Sequence, residues 1–187
     1  MVILALVRHG QSQGNAEQWF VGQVDCPLTP KGEDEARSAG ILLKDYRFDI
    51  AYSSTLQRAW RTAELIGASP TRTYALDEKH FGDLQGHPYT VMERYQGQPW
   101  VGDWDAAPPG GESYSDIEAR VLPFYHSEVV PLLREGRNVL IVAHHHTLLA
   151  IVREVERMRE HVHMRNAVPR VYDLDDQLQV KSVRDLQ

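Results

Sequence analysis

The sequence predicts an α/β fold: a three-layer sandwich with a mostly parallel central sheet and a small loop/helix cap insertion. Three observations lead there. The apolar runs "VILALV" (2–7) and "NVLIVA" (138–143) lack the polar alternation of half-exposed strands, as strands covered on both faces do. Helix-like segments alternate with the strands, the order that layered α/β proteins require. Finally, 187 residues with 42% hydrophobic content suit one domain, 1–187, with a cap subregion at about 78–112.

Residues 2–7 form the first strand. "LTPKGEDEARSAGILLKDY" opens a helix, with Thr29 as N-cap and Pro30 at the first helical position. Ala36, Gly40 and Leu43 then share one face. "FDIAYSS" (48–54) is a strand. "LQRAWRTAELIG" (56–67) is a helix that buries Leu56, Ala59, Ala63 and Ile66 and stops at Gly67. From Thr71 to Gly111 the chain is rich in Pro, Gly, Trp and Tyr without clear period, which predicts a loop-rich cap. "GESYSDIEARVLPFYHSEVVPLLREG" returns to helix, kinked or divided at Pro123 and Pro131. After strand 138–143 a helix follows from about Thr147. "RVYDL" and "LQVKSV" close the fold around a turn at Asp175 and Asp176.

The two buried strands each break on a histidine, "ILALVRHG" and "VLIVAHHH". Ligands of open parallel sheets bind outside the carboxyl ends of strands. If the two strands are neighbours, His9 and His144 meet in one crevice. Arg8 and Arg58 would bring two guanidiniums there, suited to a phosphate dianion through their planar forks. In "RHGQSQGN", Gly10 lets the backbone turn tightly, and Ser12 and Asn15 offer side-chain hydrogen bonds. Beside cations His9 favours the neutral form, whose lone pair can attack phosphorus. The leaving alkoxide then needs a proton, which a cap carboxylic acid can supply.

These residues carry a family resemblance. "LVRHGQSQGN" closely resembles the signature of the histidine phosphatase superfamily, in the branch that includes cofactor-dependent phosphoglycerate mutases. "FVGQVDCPLTPKGEDEA", "YSSTLQRAWRTAE", "LDEKHFGDLQG", "GGESYSDIEARV" and "VLIVAHHHTLL" resemble its further motifs in the expected order. The resemblance implies that His9 is the nucleophile that becomes phosphohistidine. It implies a phosphate pocket of Arg8, Arg58, His144 and Asn15, with Gln23 as a neutral phosphate contact. Glu78 matches the proton donor that later activates water. The resemblance also implies no metal and no other cofactor. His145 and His146 depart from it, since relatives carry Gly and then small residues there. The position-145 N–H can still meet phosphate, but its side chain must find room or narrow the pocket.

The resembling mutases hold a substrate carboxylate with a Trp-Arg-Arg-Ser-Tyr stretch. Here "WVGDWDAAPP" puts Val101 and Gly102 in place of the arginines, and Tyr89 in place of a cap lysine. The expectation is therefore a phosphomonoesterase for a small phosphorylated metabolite. The alternatives are a phosphoglycerate mutase and a weakly active regulatory module on the same fold. The cap aromatics Phe81, Tyr89, Tyr95, Trp100 and Trp104 serve either a leaving group or the cap's own core.

Other classes fit less well. The net charge is −6 without a long basic stretch, which argues against nucleic acid. No apolar run has membrane-spanning length, and the N-terminal run lacks the flanks of a signal peptide. The single Cys26 excludes an intramolecular disulfide and suits a reducing, cytoplasmic setting. Three consecutive histidines point apart, and His161 with His163 is a weak metal signal. The oligomeric state stays open, with a homodimer among the options.

Overall fold

The computed structural model describes residues 1–98, 100–158 and 162–187. A six-stranded sheet runs in the order β3-β2-β4-β1-β5-β6. Its strands are β1 (Val2–Arg8), β2 (Ile50–Ser54), β3 (Thr71–Thr73), β4 (Val139–Ala143), β5 (Arg170–Leu174) and β6 (Val180–Asp185). The first four in space are parallel, and β5 and β6 close the sheet antiparallel. β3 was not expected: it is three residues long and too short to show a period, and it forms by pairing with β2.

The helices are α1 (Gln13–Glu17), α2 (Pro30–Leu42), α3 (Gln57–Ile66), α4 (Tyr114–Phe124), α5 (Val130–Arg134) and α6 (His145–Glu156). They lie in layers on the two faces of the sheet. Alternate β1 residues show this directly. Leu4 and Leu6 join the core under α4, α5 and α6, with Ile117, Leu133 and Leu148. Ala5 and Val7 join the other core with Leu43 and Ala63, beneath α2 and α3. All four β1 residues are fully buried, so the unbroken apolar run reflects burial on both faces.

Thr29 caps α2 by accepting from the Gly32 N–H, and Gly67 ends α3 in the left-handed conformation. Pro123 does not break α4. A π-helical turn, Tyr125–Val129, joins α4 to α5 and absorbs both prolines in one bent helical run. α6 begins two residues earlier than expected, so His145 and His146 stand in its first turn. Between Leu76 and Gly111 the only regular structure among the described residues is two 3₁₀ segments, Gly82–Leu84 and Tyr89–Tyr95.

Candidate active site

β1 and β4 are parallel neighbours, with Arg8 opposite Ala143. The residues that follow, His9 and His144, therefore emerge side by side at the carboxyl edge of the sheet. Their ring centroids are 5.0 Å apart. The His9 N–H donates to the Ala143 carbonyl at 3.0 Å, which ties the two strand ends together.

The His9 ring has a defined orientation. Nδ1 lies 2.7 Å from the Gly10 carbonyl, an acceptor only, so Nδ1 carries the proton. The Nε2 lone pair is then left free. Burial, reinforced by Arg58 and Arg8, holds the His9 pKa well below its ordinary value. Gly10 is needed for close approach more than for turning. A Cβ there would sit 2.2 Å from the Gly32 carbonyl oxygen at the start of α2.

Arg58 is fully buried in α3, and its guanidinium donates to the carbonyls of Gly22 (2.6 Å) and Val24 (3.0 Å). Arg8 donates to the Met164 carbonyl at 3.0 Å, while its buried Nε has no hydrogen-bond partner. Burial draws both guanidiniums down from their ordinary pKa, yet arginine stays charged.

His144 stands behind His9, wholly buried. Its Nε2 lies 2.8 Å from Ser54 Oγ, which donates onward to Asp77 Oδ1 at 2.6 Å. A hydroxyl that donates to a carboxylate must accept from the imidazole, so His144 carries its proton on Nε2. Nδ1 is buried without a hydrogen-bond partner. Burial first, then the Arg58 charge, keeps the His144 pKa well below normal.

Arg8, His9 and Arg58 border a cavity of about 270 Å³, with His144 behind the wall. Arg8, His9, Ser12, Asn15 and Arg58 form its polar end. Glu78, Phe20, Val21, Gly22, Phe81, Tyr89 and the histidines 145, 146 and 163 form the rest of the wall. Ser12 caps α1 in a reciprocal box with Asn15. Asn15 Oδ1 accepts from the Ser12 N–H, Ser12 Oγ and Asn166 Nδ2. The amide nitrogen of Asn15 is thus the group available to an anion. Glu78 is buried, with Oε1 accepting the Lys79 N–H at 2.9 Å and lying 3.3 Å from His146 Nδ1. Burial alone would raise its carboxyl pKa. His146, His144 and the Lys79 N–H outweigh that and hold it well below normal. Glu78 is therefore a carboxylate before any ligand arrives.

The structure places several expected residues differently. Gln23 lies outside the cavity wall. Its amide donates to the Glu78 carbonyl at 3.0 Å, so it braces the carboxylate's backbone and does not reach the polar end. His145 does enter the wall: its ring, 5.2 Å from His163, has burial pulling its pKa down to about 3. Of the cap aromatics only Phe81 and Tyr89 line the cavity, packed edge-on against Phe20. Tyr95 pairs with Trp100, and Trp104 stacks on Tyr114. His144, His145 and His146 turn to different partners. Among the described residues no three ligand-type side chains converge for a metal, and His161 lies outside the described residues. The sequence reading missed Asn166, which donates to the His9 carbonyl at 2.8 Å, and Met164, and it read His163 only as a weak metal signal where the structure puts it on the cavity wall. All three come from a loop with no periodic signal.

Residues 4–177 match the family described as Histidine phosphatase superfamily (branch 1). The chain belongs to this superfamily. It is 41% identical to the 2,3-bisphosphoglycerate-dependent phosphoglycerate mutase of Cytophaga hutchinsonii, over 98% of this chain and 92% of the relative. The enzyme of that name from Xanthobacter autotrophicus is 39% identical, over 98% and 97%. Among solved structures, the alpha-ribazole phosphatase of Shigella flexneri superposes with a TM-score of 0.85 at 27% identity, covering 99% of this chain and 96% of its own. A mycobacterial glucosyl-3-phosphoglycerate phosphatase gives 0.82 at 28%, covering 92% and 93%. The expected phosphatase-type chemistry thus stands at the level of the superfamily. The curated relatives carry the name of the mutase alternative. No helix among the described residues is long and apolar enough to cross a membrane.

Proposed function

We propose that the chain transfers a phosphoryl group from a small phosphate ester to His9 Nε2 and then to water. The single observation behind this is the neutral His9 ring, pinned through Nδ1–H to Gly10, on one cavity wall with the half-buried Arg8 and the buried Arg58. The phosphate dianion docks against Arg8 Nε, the Arg58 guanidinium and the Asn15 amide. Its charge favours a proton on His144 Nδ1, which then donates to the phosphoryl oxygens. The same charge raises the Glu78 pKa, so the carboxylate gains the proton that it delivers to the leaving oxygen. Preorganised cations of this kind typically supply the largest share of transition-state stabilisation.

Water is the favoured acceptor because a carboxylated substrate finds no second cationic site. Among the described residues the only lysine or arginine side chains on the cavity wall are Arg8 and Arg58. The next cation, Lys79, is off that wall, with its ammonium 4.4 Å over the Tyr114 ring. Val101, in the stretch where resembling mutases carry arginines, is exposed and away from the cavity. The wall of Phe20, Phe81 and Tyr89 suits an uncharged leaving group with an apolar face. A second reading, the mutase, is favoured by the names and identities of the curated relatives.

One experiment separates them. The protein is incubated with 3-phosphoglycerate, with and without its bisphosphate, and in parallel with uncharged phosphate esters. Phosphate release from the esters, faster than isomerisation of phosphoglycerate, is the expected result. Bisphosphate-stimulated isomerisation that outruns phosphate release would establish the mutase. Turnover that survives in His9→Ala would overturn both.

A further inference from the structure

His146, like His145, departs from the family motif, and the mechanism above does not use it. Its Nδ1 lies 3.3 Å from Glu78 Oε1. Its ring packs on Phe81 and Tyr114, each 5.4 Å away, and edge-on to His145 at 4.9 Å. It borders the same cavity as Glu78 and His9. Lys79 lies on that side, its ammonium over the Tyr114 ring and 5.8 Å from that of Phe81, with Glu112 and Asp116 acting on it. At 3.3 Å the Glu78 carboxylate stands within ion-pair distance of Nδ1, a close approach that is not yet a formed hydrogen bond.

We infer that His146 is a positioning residue that stores the catalytic proton for Glu78, so that the acid–base device of this enzyme is a carboxylate–imidazole pair. The inference rests on the phosphohistidine reading above. In this cycle the transferable proton starts on Nδ1 of a His146 imidazolium, whose Nε2 is also protonated, against an ionised Glu78. The docked dianion shifts it to the carboxyl oxygen. His9 Nε2 forms its bond to phosphorus as the P–O bond breaks, and the electron pair leaves with the oxygen. That oxygen takes the proton from Glu78, giving neutral alcohol, a carboxylate and a neutral His146. Water then attacks phosphorus, and the P–N electron pair returns to His9. Glu78 removes the water proton and hands it to His146 Nδ1, which restores the starting pair.

Leaving groups provide the test. A nitrophenolate leaves without a proton, whereas an alkoxide needs one. His146→Asn places an amide N–H near the position of Nδ1, which keeps a donor for Glu78 but stores no transferable proton. The kcat on an alkyl phosphate and on 4-nitrophenyl phosphate is measured for both proteins, with folding checked by circular dichroism. The expected result is that the variant loses at least about tenfold more on the alkyl ester than on the aryl ester, within the range general acid catalysis spans. Equal losses on both esters would show a merely structural role and overturn the inference, as would no loss on either. Base-quench trapping of phosphohistidine in the wild type tests the underlying reading separately. If the phosphoenzyme forms but the ratio does not change, His146 alone is misassigned.

Discussion

Ser54→Ala removes one oxygen from the interior and should disturb both stability and turnover. Ser54 is completely buried at the end of β2. Its Oγ donates to Asp77 at 2.6 Å and accepts from the Leu56 N–H at 3.0 Å and His144 Nε2 at 2.8 Å. Alanine leaves Asp77 Oδ1 with the Thr55 N–H at 2.8 Å, so the carboxylate is still served. The Leu56 N–H and the His144 N–H lose their acceptor in a site closed to water. A buried donor left unpaired costs about 1–3 kcal/mol, so two of them cost roughly 2–6 kcal/mol. His144 is also freed to change tautomer, so Nδ1 loses its fixed role and kcat should fall about tenfold or more, the lower range for an oriented acid–base group. Urea titration reads the stability and steady-state kinetics reads kcat. A variant within about 0.5 kcal/mol of wild type and with unchanged kcat would refute the relay, since surface-like substitutions fall in that band.

Further outcomes follow from the same geometry. Gly10→Ala brings a Cβ to 2.2 Å from the Gly32 carbonyl oxygen, so the α2 terminus must shift; a loss of about 1–3 kcal/mol in urea denaturation is expected. Arg58→Lys keeps the charge but loses the fork that spans the Gly22 and Val24 carbonyls, and kcat/KM should fall by roughly 10²–10³, comparable to losing one transition-state donor. Stability should also fall on acidification. His9, His144 and His145 have pKa values below 6.5 in the fold, so the unfolded chain binds protons that the fold refuses. Their contribution is complete above about pH 6.5 and is lost below it. Each site costs about 1.4 kcal/mol at pH 5.5, so three cost about 4 kcal/mol; denaturant midpoints at pH 7.5 and 5.5 measure this, and a flat profile would contradict neutral burial.

The fold was legible where burial leaves a local mark. β1 and β4 read as apolar runs because both faces are covered, and Thr29 and Gly67 announced helix ends through their own chemistry. Their adjacency was not legible, because strand pairing joins residues some 135 positions apart, as between Leu4 and Val139. β3 and α1 were too short for a period. In the site, Arg8, His9, Arg58 and Glu78 were found through motifs, and all four border the cavity. His144, found the same way, stands just behind His9. Gln23 was placed by motif position, but its side chain turns to the Glu78 backbone. Ser54 and Asp77 sat inside quoted motifs, yet their roles depend on a contact between two strand ends and a loop. Asn166 holds the His9 backbone carbonyl and the Met164 carbonyl holds the Arg8 guanidinium, contacts that no residue pattern reveals. The ionised state of Glu78 depends on His146, a residue whose direction the sequence did not indicate.

The most direct measurement is mass-spectrometric and phosphorus-NMR analysis of protein mixed with excess 4-nitrophenyl phosphate and quenched in base within milliseconds. One acid-labile phosphoryl group per chain, on Nε2 of His9 and lost in His9→Ala, is expected. A phosphoryl group on another residue, or turnover with no phosphoenzyme at any quench time and undiminished activity in His9→Ala, would contradict the assignment of His9 as the nucleophile.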